Sequence, residues 1–194
     1  MNPDQVRDYL AETVGTVTRT VESCSRQILE AAAAIADSVR RGGKVLICGN
    51  GGSAADSQHL AAELVGTLTL DRLRPAIAAV ALTTDSSILT AVSNDFGFEG
   101  VFARQVEAIG RPGDVLIAIS TSGNSEDVVL AVEQAGRQGL RTIALTGGSG
   151  GKLAPLADVA VQVPSVQTSH IQEAHLAVEQ LIAFLVEDEL YPTA

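Results

Sequence analysis

The chain has 194 residues, the size of one ordinary domain, and its hydrophobic share of 46% predicts a well-filled core rather than disorder. Its formal net charge of −10 excludes general electrostatic attraction to nucleic acid or to an anionic membrane. An anionic ligand must therefore be held by a local arrangement of donors.

The N-terminal part, residues 1–41, predicts a pair of helices. Apolar residues recur at helical spacing from residue 4 to about 41, and Arg40 and Arg41 suit the end of a helix. The pair Gly42-Gly43 ends the pattern. We expect a helical hairpin attached to an α/β core at 42–194, the whole forming one domain at 1–194.

Beyond residue 44, short β-rich runs alternate with helical runs. Each strand is apolar almost throughout, which predicts burial on both faces and hence a parallel sheet. The alternation predicts a three-layer α/β sandwich with right-handed crossovers. The predicted strands are 44–48, 78–82, 114–120, 141–146 and 158–163. The predicted helices are 53–66, 86–93 with 98–109, 125–138, a short turn near 152–156, and 168–189.

Three further features of the sequence bear on the cellular location of the protein. Cys24 and Cys48 stand in no paired motif, which predicts reduced thiols in a cytoplasmic protein. The first residues lack the basic start and apolar run of a signal peptide. No apolar stretch approaches the ~18–20 residues that a membrane span needs, so we expect no membrane partner.

A glycine-rich run, Cys48-Gly49-Asn50-Gly51-Gly52-Ser53, follows the first predicted strand. Its glycines let backbone N–H groups approach an anion closely, and Ser53 with Asp56 predicts a helix capping box. Ala54 stands where the dinucleotide fingerprint needs a glycine, so no nucleotide cofactor is expected. The alternative is a tight strand-to-helix turn.

A second run, Ser120-Thr121-Ser122-Gly123-Asn124-Ser125, follows the third predicted strand. Four hydroxyls and a glycine at the start of a helix form a neutral cradle for phosphate, which suits a protein of this charge. The alternative is a serine-rich turn.

Ionisable residues gather on two predicted helices. His59 and Glu63 are four residues apart and share a helix face, and so do Gln172, His175 and Glu179. Acid–base catalysis, a metal site or both would use these residue types, and the alternative is satisfied structural histidines. Elsewhere, the pair Asn94-Asp95 predicts either contacts to sugar hydroxyls or the end of a helix.

Six motifs occur in this order: Gly49-Asn50-Gly51-Gly52-Ser53, Gln58-His59-x3-Glu63, Thr84-Asp85, Asn94-Asp95, Ser120–Ser125 and Ile171-Gln172-Glu173-Ala174-His175. Together they resemble the sugar isomerase (SIS) domain family, and within it the sedoheptulose 7-phosphate isomerases. The resemblance covers essentially the whole chain.

The resemblance implies a five-stranded parallel sheet of flavodoxin-like type, a homotetramer, and conversion of sedoheptulose 7-phosphate to D-glycero-D-manno-heptose 7-phosphate through an enediol. It implies that Glu63 is one acid–base residue. It also implies that the phosphorylated sugar is held by a set of polar residues: Asn50, Gly51, Gly52, Ser53, Asn94, Asp95, Ser120, Thr121, Ser122, Ser125 and Gln172.

Some members of the family carry zinc on a His and a Glu of the first sheet helix and a Gln and a His of the last helix. His59, Glu63 and Gln172 match three of these ligands. The family's fourth ligand, which is also its second acid–base residue, is a histidine eight residues after the glutamine, and here that position is Gln180. The family's Arg before Ile-Gln-Glu is His170. We expect weak or absent zinc, because an amide is a poor fourth ligand.

Three interpretations of Gln180 remain open. Glu63 alone could carry the proton between adjacent carbons while Gln180 and water polarise the oxygens. His175 could supply the acid, although it lies about 140° from residue 180 around the helix. Alternatively the protein has lost catalysis and works as a phosphosugar-binding scaffold, like the family member that associates with the bacterial replication initiator. Retention of Glu63 favours catalysis.

Overall fold

The computed structural model describes residues 2–70 and 72–192. The sheet contains five parallel strands: β1 Val45–Gly49, β2 Ala79–Ala81, β3 Val115–Ser120, β4 Arg141–Gly147 and β5 Val159–Val163. Six α-helices surround it: α1 Pro3–Arg40, α2 Gly52–Val65, α3 Ser86–Phe96, α4 Val101–Ile109, α5 Glu126–Arg137 and α6 Thr168–Leu190. Short 3₁₀ turns occur at Phe98–Gly100 and Ala154–Leu156.

The strand order is β2-β1-β3-β4-β5, the flavodoxin-like order. Side chains that alternate along each strand face opposite helical layers. Ile47 and Ile117 pack with residues of α1, α2 and α6, whereas Leu46 and Leu116 pack with residues of α4 and α5. These observations confirm the predicted parallel sandwich and place α2 and α6 in the same layer.

The expected N-terminal hairpin is wrong, because residues 3–40 form one 38-residue helix. The interior of α1 contains no proline, and Gly15 alone costs only about 1 kcal/mol relative to alanine. Continuous packing outweighs that cost, because the buried side of α1 runs from Cys24 through Ile28 to Ile35 against the sheet and α6. The predicted end of the helix at Arg40 is confirmed.

The prediction that every strand is buried on both faces is wrong for the edge strand β5, whose Gln162 is exposed, and more clearly wrong for β2. This three-residue strand lies at the sheet edge, and its Val80 is 41% exposed. The helix that follows it gives little cover, since no residue of Ser86–Phe96, all of them described, is buried. Within residues 2–70 and 72–192, no helix is long and apolar enough to cross a membrane.

Candidate active site

Both predicted loops lie at the carboxyl edge of the sheet, after the adjacent central strands β1 and β3. The chain leaves β1 toward β2 on one side, and β3 begins on the other side. In open parallel sheets this switch in strand order opens the crevice where ligands bind. The glycine-rich run 49–53 and the hydroxyl run 120–125 therefore border one crevice.

A buried carboxylate ties the two loops together. The amide of Asn50 donates to both oxygens of Asp127, at 3.0 and 2.8 Å, and Asp127 is 4% exposed in the first turn of α5. Burial raises the pKa of Asp127, and the hydrogen bond from Asn50 opposes that shift. Asp127 thus fixes the orientation of Asn50 beside the hydroxyl run.

The hydroxyl run is a compact turn at the start of α5. The Ser120 and Ser125 hydroxyls are 3.0 Å apart, and Ser122 Oγ accepts from the backbone N–H of Asn124 at 3.1 Å. Gly123 has φ +65, and a Cβ there would collide with the backbone of Gly150. Ser125 is the N-cap of α5 but makes no side-chain capping hydrogen bond, so one of the paired Ser120 and Ser125 hydroxyls keeps its proton free to donate to a phosphate.

Helices α2 and α6 meet beside the glycine-rich run. The Gln172 side chain accepts from Ser53 Oγ at 3.2 Å and donates to Asp56. The predicted capping box of Ser53 and Asp56 is wrong, because Gly51 is the N-cap of α2 and both side chains bind Gln172 instead. A Cβ at Gly52 would lie 3.0 Å from Gln172 Oε1, so this glycine permits the close approach of α6.

A second cluster begins one turn after Asp56 along α2. It consists of His59 and Glu63 of α2 and Gln180 of α6. His59 Nε2 lies 3.5 Å from Glu63 Oε1 and also contacts the amide nitrogen of Gln180. The amide nitrogen of Gln180 can only donate, so in this side-chain orientation His59 Nε2 is the acceptor. The Glu63 side chain is 20% exposed and the His59 side chain 41%, which leaves both accessible to a ligand.

The side chains of this region that could bind a metal ion do not fit a zinc centre. The Gln180 amide occupies the His59 nitrogen that faces Glu63, and the Gln172 amide is engaged by Ser53 and Asp56. The matched set then consists of one imidazole, one carboxylate and neutral amides, whereas catalytic zinc prefers three strong His, Cys or carboxylate ligands. In the described part of the chain, no three His, Cys, Asp or Glu side chains form a metal-binding group.

The other two histidines lie elsewhere on α6. His175 is fully buried, and its Nε2 contacts the Thr146 carbonyl oxygen at 3.0 Å. Burial lowers the pKa of His175 to about 4, so it is a poor proton donor at neutral pH. His170 is also buried and contacts Glu173 at 3.0 Å. The interpretation in which His175 replaces the missing histidine is therefore not supported by its surroundings.

Glu179 is the most unusual carboxyl group of α6. It is fully buried, and neither carboxylate oxygen has a hydrogen-bond partner among the described residues. Burial, together with the charge of Asp56, raises the pKa of Glu179 to about 9. Glu179 is therefore protonated at neutral pH and adds no negative charge beneath the site.

Asn94 and Asp95 are exposed at the end of α3. Asn94 donates to Asp95 at 2.8 Å, and none of their hydrogen bonds among the described residues reaches the other predicted sugar-binding residues. The structure therefore does not join this pair to the crevice. Their predicted contact with the sugar stays a prediction.

Three polar contacts of the site were not predicted from the sequence: Asn50 with Asp127, Asp56 with Gln172, and His59 with Gln180. Asp127 gave only the weak signal of an acidic residue in a first helical turn. Its partner lies 77 residues away in the chain, and Gln180 lies 121 residues from His59. Such pairs depend on how the loops and helices pack.

Comparisons with known proteins agree with this geometry. A family model described as the SIS domain matches residues 8–147. A protein named phosphoheptose isomerase from Akkermansia muciniphila is 54% identical over 173 residues, which cover 89% of this chain and 90% of that protein. Solved structures match as well, two of them as follows. Phosphoheptose isomerase GmhA from Neisseria gonorrhoeae has a TM-score of 0.89 at 42% identity, covering 95% of this chain and 98% of that one. A phosphoheptose isomerase from Francisella tularensis has 0.92 at 36%, covering 97% and 100%. The chain therefore belongs to the SIS-domain family and, within it, to the phosphoheptose isomerases.

Proposed function

We propose that this protein is an aldose–ketose isomerase that converts sedoheptulose 7-phosphate to D-glycero-D-manno-heptose 7-phosphate. The observation that carries the proposal is the polar row between α2 and α6, in which Gln172 contacts Ser53 of the glycine-rich run and the partly exposed carboxylate of Glu63 lies beside His59, which contacts Gln180. The family relationship and the high identity of its relatives support the same activity.

The phosphate is bound by the hydroxyls of Ser120, Thr121, Ser122 and Ser125, with help from Ser53. These groups and the N-terminus of α5 stabilise an anion without a lysine side chain. Asn50, Gly51, Gly52, Gln172, Asn94 and Asp95 contact the sugar. Asp127 positions Asn50 for that contact.

Glu63 removes a proton from C1 of the ketose, and the carbonyl oxygen at C2 gains a proton, which gives the enediol. Glu63 then returns the carbon proton to C2 while the hydroxyl at C1 loses its proton and becomes the aldehyde oxygen. The Gln180 amide does not titrate near neutral pH, so it donates hydrogen bonds to these oxygens and water exchanges their protons. His59 lies between Glu63 and Gln180, because its Nε2 contacts both side chains.

Zinc is not needed for this sequence of steps, and we propose that it binds weakly or not at all. We also propose a homotetramer, since exposed apolar residues such as Leu10 and Phe96 remain for subunit contacts. A cytoplasmic location fits the two buried, unpaired thiols Cys24 and Cys48.

The test is to incubate pure protein with sedoheptulose 7-phosphate, with and without added zinc, and to follow the new heptose phosphate. We expect turnover in both conditions, and a loss of about 10³-fold or more in kcat for Glu63→Gln, because the amide cannot accept the carbon proton. Glu99→Gln, an exposed substitution of the same kind, is the control. Absence of product from the native protein, with turnover only in Gln180→His, would contradict the proposal.

A further inference from the structure

A buried ion pair connects the segment after α2 to α6. The Arg74 side chain is 1% exposed and the Glu187 side chain is 2% exposed, and Nη2 of the arginine lies 2.7 Å from Oε1 of the carboxylate. Arg74 Nε donates to the same oxygen at 2.8 Å. Well-packed apolar residues often replace such a pair without loss of stability, so stability alone explains it poorly.

Two other donors of Arg74 bind the backbone of α2, and a third binds the carbonyl oxygen of Pro75. Nη2 donates to the carbonyl oxygen of Glu63 at 2.8 Å, and Nη1 donates to that of Leu64 at 2.8 Å. These carbonyls belong to the last turn of the helix, where no later N–H of the helix is available to them. The residue that carries the reactive carboxylate is thus held directly by this guanidinium.

Glu187 makes the corresponding connection to α6. It lies seven residues, about two helical turns, after Gln180, and so on nearly the same helix face. Its Oε1 also accepts from the backbone N–H of Leu68 at 3.0 Å. Contacts occur in the same order along both helices, from Gln172 with Ser53 to Gln180 with His59, so α2 and α6 run parallel. The ion pair closes the far end of this helix pair.

We propose that Arg74 and Glu187 are positioning residues, which fix α2 against α6 and so hold the Glu63 carboxylate at its working distance from the Gln180 amide. This inference rests on the proposed isomerase reaction. A displacement of about 1 Å at a reacting group can cost ~10²-fold in rate, so a pair remote from the substrate can control kcat.

The first test measures steady-state kinetics of Glu187→Gln, Arg74→Lys and Arg74→Met with sedoheptulose 7-phosphate. We expect kcat to fall about tenfold or more, whereas KM changes by less than about twofold, because the phosphate is held on the β3 side of the crevice. A lysine side chain keeps the charge but has one nitrogen to replace three, so Arg74→Lys should retain an intermediate kcat.

Arg72 provides a matched control. It joins the same segment to the same helix, through Asp188 at 3.0 Å and the Tyr191 carbonyl at 2.7 Å, but it makes no hydrogen bond to α2 among the described residues. Arg72→Met should therefore leave kcat within about twofold of the native value.

The double variant Arg74→Met/Glu187→Met separates positioning from stability. Removing both charges together should restore the melting temperature. The kcat should stay low, because methionine cannot donate to the carbonyl of Glu63. Recovery of kcat along with stability, or an unchanged kcat in folded Glu187→Gln, would overturn the inference.

A second readout does not need turnover. The ring nitrogens of His59 report its contacts with Gln180 and Glu63, so their ¹⁵N chemical shifts should move in Glu187→Gln and not in Arg72→Met. Unchanged shifts in both variants would also overturn the inference. An inactive native protein with His59 shifts that respond to Glu187→Gln would count against the isomerase proposal and support the positioning role.

Discussion

At the scale of single residues, Gln180 determines how the site can move protons. Its amide donates to His59 Nε2, the nitrogen that also faces Glu63. A histidine at this position could exchange protons with a substrate oxygen, whereas an amide can only donate and accept hydrogen bonds. In the proposed reaction, the whole carbon proton transfer therefore falls on Glu63.

Gln180 also bears on metal binding. We expect native protein purified without chelators to hold well below one zinc per protomer, and Gln180→His to raise occupancy toward one, because imidazole is a far stronger ligand than an amide. Metal analysis of both proteins measures this, with Gln180→Asn as the control. Stoichiometric zinc in the native protein would contradict the expectation.

Glu179 makes stability depend on pH. Its pKa is raised to about 9 by burial and by Asp56, whereas the unfolded chain releases the proton near the ordinary pKa of 4.5. Between those values the folded state binds more protons than the unfolded state. The free energy of unfolding therefore falls as pH rises. Below pH 4.5 the Glu179 carboxyl becomes protonated in both states, and its burial then no longer lowers the free energy of unfolding.

The isosteric Glu179→Gln should therefore stabilise the protein at about pH 8 and have little effect at about pH 4.5. The difference is on the order of a few kcal/mol, and urea unfolding at both pH values measures it. Glu22→Gln removes the same charge from an exposed site and should show no such pH dependence. An equal effect of Glu179→Gln at both pH values would show that its carboxyl is ionised when folded.

At the scale of elements, patterns along the chain predict well what depends on neighbouring residues. Apolar runs predicted all five strands to within two residues at each end, and Gly42-Gly43 predicted where α1 ends. Local spacing failed where packing decides: it predicted a break in α1, and it assigned Asp56 to a capping box instead of to Gln172. The Arg74–Glu187 pair joins residues 113 apart, so no local pattern signals it.

The fit of α2 against α6 depends on Gly52. Alanine at this first position of α2 would favour folding by about 0.4–1 kcal/mol because it restricts the unfolded chain, but its Cβ would lie 3.0 Å from Gln172 Oε1. We therefore expect Gly52→Ala to lower kcat/KM about fivefold or more without lowering the melting temperature. Ala55→Gly, at an exposed position of the same helix, should do the opposite: a lower melting temperature and native kinetics. Native kinetics in Gly52→Ala would mean that Gln172 can shift without loss.

At the scale of the whole molecule, apolar surface is left uncovered at several places, among them the first half of α1 and the end of α3. In α1, Val6 is exposed by 62%, Leu10 by 56% and Val14 by 66%, spaced four residues apart on one helix face. At the end of α3, Phe96 is 62% exposed. A protomer of charge −10 also repels its copies, so association must rest on burying such apolar residues.

The stripe of Val6, Leu10 and Val14 gives the test of the proposed homotetramer. Leu10→Lys should shift the native mass, measured by light scattering after size exclusion, toward dimer or monomer, because a buried lysine at a subunit contact has no partner. Asp8→Lys introduces the same side chain about 160° around the helix and should leave the mass unchanged. High salt screens the repulsion between protomers and should partly restore the assembly of Leu10→Lys. A monomeric mass for the native protein would contradict the tetramer. A tetramer unaffected by Leu10→Lys would place the subunit contacts elsewhere. The exposed surface around Phe96 would then be the next one to substitute.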